Sequence, residues 1–429
     1  MIGPRIALHT VHSMAQAALL LSIFLWIFSE TLLSPFYPQF FRSVFGIADV
    51  GYAGYYIFAC RLTVILCAPL WGALARRVTA RHLLLVGQAG AAVITALMAS
   101  ARDAGDFLVL SVVLLTFKSS YLLLYPLLVQ MAGQEQRAAT VSRYQMVLHA
   151  AVILSALAGA WMVNLSAPLR LFYAVAATDV VQLILCALAL RSSPTRAQLG
   201  DAPGGRVDAP ASNPAIPGAG SHSIGATVAL GFVIVTFHLA SNVVRPYFTA
   251  YLQAQAGLSL AASSLLFLAP HTAAIGAMLC RGRTTLGKRP GKVYLLHVSL
   301  LGLSLSLQGW SSNLAAVLVG RLLYGFSLVI AQAALEIHVF ASGGQRGLYL
   351  PYTLAASAQN GGLLGAPLLA SSLVRLHGLL APLLAAGAIC LINLLVAMTT
   401  VFHHPARMAS NPRSPRDCQT DTLKGGPTP

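Results

Sequence analysis

The sequence predicts an all-α integral membrane protein with twelve transmembrane helices in two pseudo-symmetric six-helix bundles. Three observations predict it. First, 57% of the 429 residues are hydrophobic and only 9% charged, against roughly 25% charged in a soluble domain, and the mean hydropathy is +0.74. Second, twelve apolar stretches of about 20 residues, the length that crosses a hydrocarbon core of ~30 Å, lie near 15–41, 51–75, 82–100, 107–131, 144–165, 169–190, 224–248, 260–280, 292–311, 313–339, 351–374 and 379–402. Third, the chain repeats itself: SPFYPQFFRSVFG (34–46) aligns without gaps on RPYFTAYLQAQAG (245–257) at an offset of 211, with Pro35 on Pro246 and Gly46 on Gly257.

Two further islands keep nearly the same offset. Arg61 falls on His271 and Gly72 on Gly282 at 210, and Gln136-Arg137 on Gln345-Arg346 at 209. Islands in chain order near one offset indicate a duplicated six-span unit with parallel halves. The first bundle spans 1–190 and the second 224–403. Between them, 191–223 is rich in Pro, Gly, Ala and Ser, which cannot bury a core, and reads as a flexible cytoplasmic linker. The tail 404–429 has the same character and is expected to be disordered.

The charge balance, 27 Lys and Arg against 11 Asp and Glu, gives +16. In a soluble protein this would suggest nucleic acid, but the placement excludes it. With the N-terminus inside, 19 basic residues, among them Arg76, Arg77, Arg81, Arg137, Arg289 and Lys292, fall on cytoplasmic segments. Only Arg42, Arg102, Arg170 and Arg375 fall on the other side. The bias places the chain in the cytoplasmic (inner) membrane with both termini inside. The first span is too long for a signal peptide and lacks a cleavage site, so it is read as retained. The six cysteines show neither a disulfide framework nor metal-ligand spacing.

A 6 + linker + 6 layout resembles the major facilitator superfamily, and the resemblance covers nearly the whole chain. After the second span that family carries a loop of the type G-x-L-a-D-[RK]-x-G-[RK]-[RK]. Here GALARRVTAR (72–81) keeps Gly72, Leu74, Ala75, Arg77 and Arg81, with Arg76 in place of the acid and Thr79 in place of the second glycine. The loop residues Gly72, Arg76, Arg77 and Arg81 are carried over as a gating loop. Lys118 stands where the fourth span often has an arginine, and RLLYG, Arg321 to Gly325, fits the equivalent place in the tenth. The fifth-span signature of drug antiporters is incomplete: SALAGAW (155–161) lacks Gly-Pro, and GGLLGAP (361–367) in the eleventh span comes closer.

An ionised side chain at a span centre costs ~2.5–3.5 kcal/mol on insertion scales, so the intramembrane charges are the candidate site. Counted at ~1.5 Å per residue from the outer span ends, Glu30, Arg61, Lys118 and Asp179 share a depth of about 14–17 Å. Glu30 with Arg61 is the expected ion pair, because sequential antiparallel spans are commonly neighbours. Glu30 is the candidate proton-coupling acid, the alternative being a pair that only locks helices. Asp179, with Gln182 three residues on, is a second coupling candidate or a scaffold contact of the sixth span. Arg61, Lys118, Arg321, Tyr37, Tyr121, Tyr324 and His271 are the candidate substrate-binding residues. Arg245 is expected to snorkel, and His149, His238 and His297 to pack.

The resemblance implies a secondary transporter working by alternating access. The positive sum of the cavity candidates favours an anionic cargo over lipophilic cations. The expected activity is proton-coupled export of a polar, partly anionic small molecule such as a siderophore. A multidrug/proton antiporter and a proton-coupled organic-anion importer are the alternatives. The expected partners are the small-molecule substrate, protons and the lipid bilayer. A monomer is expected, with no nucleic acid and no cofactor. An enzyme is not expected, since no nucleophile–base or metal constellation stands out.

Overall fold

The computed structural model describes residues 4–33, 36–47, 49–162, 168–191, 224–281, 286, 289–310, 313–342 and 348–402. The expected linker beyond Arg191, the tail, Gly282, Arg283, Lys288 and Arg346 lie outside them. The described residues contain helices and no strand.

The first half of the chain forms α1 (Pro4–Thr31), α2 (Tyr37–Phe45), α3 (Val50–Leu74), α4 (Ala80–Met98), α5 (Ala104–Lys118), a 3-10 turn (Ser119–Leu123), α6 (Leu124–Met162) and α7 (Leu171–Arg191). The second half forms α8 (Ile224–Val243), α9 (Phe248–Ala256), α10 (Leu260–Arg281), α11 (Pro290–Trp310), α12 (Leu314–Ser342), α13 (Tyr349–His377), α14 (Ala381–Val396) and a π-turn (Ala397–Val401). Large apolar side chains face outward all along them: Leu66, Leu70, Val86, Val93, Leu279 and Leu303 are each more than half exposed. In water such a surface would drive association, and in a bilayer it is the solvated face.

Nine stretches among the described residues are long and apolar enough to cross a membrane. The difference from twelve has local causes. The expected spans 107–131 and 144–165 fall in one stretch, 104–159, which breaks at Gly133, a glycine at φ 74° and ψ 177° that no helix contains. α13 carries Thr353, Ser357, Gln359, Asn360 and Arg375 and is too polar to qualify. Of α10, the shorter helix Leu268–Cys280 qualifies as apolar.

The repeat read from sequence has a counterpart in the backbone. α2 and α9 are nine residues each, 211 positions apart, and end on Gly46 and Gly257 in the left-handed region, at φ 69° and 61°. The packing partners repeat as well. α1 packs on α6 and α7 as α8 packs on α13 and α14, and α4 packs on α5 and α7 as α11 packs on α12 and α14. Across the halves, α3 lies on α13 and α10 on α6, which are the same contact by that correspondence, and α6 also meets α12.

Candidate functional site

α1 stops at Thr31 and α2 starts at Tyr37, so the expected first span 15–41 is two helices and Glu30 lies in the last turn of α1. Hydroxyls pin that turn from both sides. Ser29 meets Thr178 of α7 at 3.2 Å and Thr31 meets Ser155 of α6 at 2.6 Å. Between them Glu30 is exposed and lines a cavity of about 80 Å³ with Tyr37, Tyr56, Cys60, Ser111 and Lys118. Tyr37 stacks obliquely on Tyr56 at 4.8 Å, and Tyr56 is tied to Ser111 at 2.9 Å. The space suits a few waters or a small polar group.

The expected Glu30–Arg61 pair is not formed. α1 packs on α6 and α7, whereas α3 packs on α5 and α13, so neighbours in sequence are not the main neighbours in space. Arg61 instead donates Nη1 to Asn360 Oδ1 at 2.9 Å, across the two halves. The charge that does pair is Lys118, whose Nζ lies 3.6 Å from Asp179 Oδ1, with the side chains 4% and 0% exposed. Asp179 also accepts from Thr95 at 2.8 Å, Gln182 at 3.3 Å and Tyr121 at 3.4 Å. Four donors around an acceptor-only group are what a buried ionised carboxylate requires. Tyr121, fully enclosed and edge-on to Trp26 at 5.9 Å, belongs to this network and does not line the cavity.

A second group of charges gathers in the other half. Arg321 is buried, donates Nε to the Leu266 carbonyl at 3.3 Å, and lies over the rings of Phe248 at 4.0 Å and Tyr324 at 5.0 Å. Such stacking holds a guanidinium in place without neutralising it. Tyr324 spends its hydroxyl on the Ser241 carbonyl at 2.6 Å. Arg245 is exposed and donates Nη1 to Asn242 Oδ1 at 3.0 Å. His271 joins His149 across the halves, Nδ1 to Nδ1 at 2.9 Å. One ring must carry the proton and the other accept it.

The gating-loop residues divide. Gly72 is buried where α3 crosses α13, and a Cβ there would collide with the Thr353 side chain. Arg76 and Arg77 are exposed and Arg81 is half-buried.

Sequence reasoning missed Glu336 in α12. Its carboxylate accepts from Tyr125 at 2.7 Å, from Gln145 Nε2 at 2.9 Å to each oxygen, and from Gln332 at 3.2 Å. The signal was available, since one carboxylate in the apolar run 313–339 is the same anomaly that singled out Glu30. Asn360 and His149 were missed as cross-half partners. They stand 211 residues apart, as Arg61 and His271 stand 210 apart, so each contact is the image of the other under the repeat.

Residues 19–335 match the family model described as Major Facilitator Superfamily. No curated relative matches. Among solved structures, the human organic anion transporter MFSD10 (TETRAN) aligns at a TM-score of 0.69 and 19% identity, covering 90% of this chain and 99% of that one. FucP, a major facilitator transporter in the outward conformation, aligns at 0.66 and 14% identity over 92% and 100%. A variant of the E. coli fucose:proton symporter FucP aligns at 0.64 and 13%, over 91% and 98%.

Proposed function

The chain belongs to the major facilitator superfamily, a transporter and not an enzyme, and we propose that it is a proton-coupled secondary transporter of a polar, at least partly anionic small molecule. The observation that carries this reading is the placing of two guanidiniums on uncharged partners, Arg61 on Asn360 across the halves and Arg321 over the rings of Phe248 and Tyr324. Guanidiniums held this way keep donors for an anion and favour a carboxylate, phosphate or deprotonated hydroxamate. The likeness to a structure named as an organic anion transporter agrees with that class. Lys118, neutralised by Asp179, adds less to the attraction than its charge alone suggests.

In this reading twelve spans form two six-helix halves, both termini face the cytoplasm of an inner membrane, and the protein acts as a monomer. The repeated packing and the distribution of basic residues support it. Glu30 is the coupling acid: it is exposed to a cavity and has no ion pair among the described residues. Export is the proposed direction, with a siderophore-type hydroxamate as the example of cargo. The test is transport by the purified full-length protein in liposomes loaded with a hydroxamate siderophore or a dicarboxylate, under an imposed proton gradient. Gradient-driven movement of either anion supports the reading. Movement of a lipophilic cation alone would replace it with a multidrug antiporter, and uptake in place of efflux would reverse the direction.

A further inference from the structure

Glu336 and Tyr125 are 211 residues apart, the offset that relates the two halves. A contact between equivalent positions lies on the pseudo-two-fold axis, in the middle of the interface. Arg61 with Asn360 and His271 with His149 flank it as a symmetric pair. The end of the molecule nearest Glu336 is drawn shut by further cross-half contacts. Tyr349 donates to Gln130 at 3.1 Å, and Gly72 is pressed on Thr353. This is the end that bears the basic loop after α3.

Glu336 is half-buried and among the described residues has no cation within ion-pair distance. Two of its three partners, Tyr125 and Gln145, come from the opposite half, so ionised Glu336 fastens the halves by charge-assisted bonds. Those bonds are roughly twice as strong as neutral ones. Gln145 has a second feature: its Oε1 is buried with no partner. Rotating that amide end for end would offer Oε1 to a proton on Glu336, so one side chain can serve both protonation states. A cavity of about 30 Å³, lined by Glu336, His238, Gln332, Tyr352 and Gln359, is large enough for about one water beside the carboxylate.

The titratable groups facing Glu336 are Tyr125 and Tyr144 of α6, Tyr352 of α13 and His238 of α8. α10 and α11 bring His271, which pairs with His149, and His297, which packs on Phe326.

We propose that Glu336 is a proton-binding latch between the halves: ionised, it holds this end closed through Tyr125 and Gln145, and protonated, it lets the halves part. The proton goes onto a carboxylate oxygen, Tyr125 loses an anionic acceptor, and Gln145 turns from donor to acceptor. The proposal rests on the chain being a proton-coupled transporter, but its test needs no substrate. Spin labels on Gln134, just past the break in α6 at Gly133, and Ala341, in the last turn of α12, both exposed, report the opening in the full-length, cysteine-substituted protein.

In the wild-type background the inter-label distance lengthens as pH falls. In Glu336→Gln, which keeps the shape and removes the charge, the longer distance prevails at every pH, with the open-to-closed ratio raised about tenfold. Tyr125→Phe, which removes one donor, shifts the population the same way by less and decides the matter if Glu336→Gln does not fold. A pH-dependent infrared carboxyl band that disappears in Glu336→Gln identifies the proton site itself. A distance and pH response unchanged by these substitutions would overturn the latch. Loss of transport of the anionic probes with the latch response intact would instead overturn the proposed function alone.

Discussion

Asn360 takes the guanidinium of Arg61 at 2.9 Å, across the two halves, in the place where the sequence suggested Glu30. Arg61 is thereby bound to a neutral side chain and keeps its charge, and Glu30 is left to the cavity.

Removing the amide should expose what Arg61 relies on. Asn360→Leu leaves a guanidinium facing an apolar side chain and is expected to destabilise the protein by about 1–3 kcal/mol, read as a lowered unfolding temperature in detergent. Asn360→Asp, by contrast, neutralises Arg61 and should weaken binding of an anionic probe while preserving the fold. Unchanged anion affinity in Asn360→Asp would remove Arg61 from the binding site.

Lys118 and Asp179 form a buried pair that satisfies itself. Either Lys118→Met or Asp179→Asn strands the other partner and should cost about 3–5 kcal/mol, whereas the double substitution should recover much of it. Additive losses in a double-mutant cycle would show that the pair does not couple.

Arg321 and Arg245 should act through charge. Arg321→Lys keeps the attraction but loses the planar stack on Phe248 and Tyr324, so it should lower affinity for an anionic probe less than Arg321→Gln. A neutral analogue should bind both variants equally well. Equal weakening of anionic and neutral ligands would contradict the anionic cargo.

The legible part of this protein was what depends on the chain alone. Apolar runs marked the helices, the match of 34–46 to 245–257 appeared as two nine-residue helices with left-handed glycine caps, and the lone charges Lys118 and Arg321 were found in buried positions. Pairing was not legible, because it depends on which helices touch. Asp179 meets Lys118 because α7 packs on α4 and α4 on α5, an order that sequence adjacency does not give. The break in the first span was not legible either: the apolar run 15–41 reads as one helix, whereas α1 ends at Thr31 and α2 begins at Tyr37. Glu336 was overlooked although its signature matched that of Glu30.

The most direct test of proton-coupled anion transport is substrate-dependent proton movement in liposomes containing purified wild-type protein or Glu30→Gln. The vesicles are loaded with a hydroxamate siderophore or a dicarboxylate, and internal pH is followed with a trapped dye. The account predicts that anion efflux carries protons inward in the wild type, and that Glu30→Gln loses this movement while still exchanging labelled for unlabelled anion, since the neutral isostere keeps the site but cannot carry the proton. Proton movement at the wild-type rate in Glu30→Gln would contradict it.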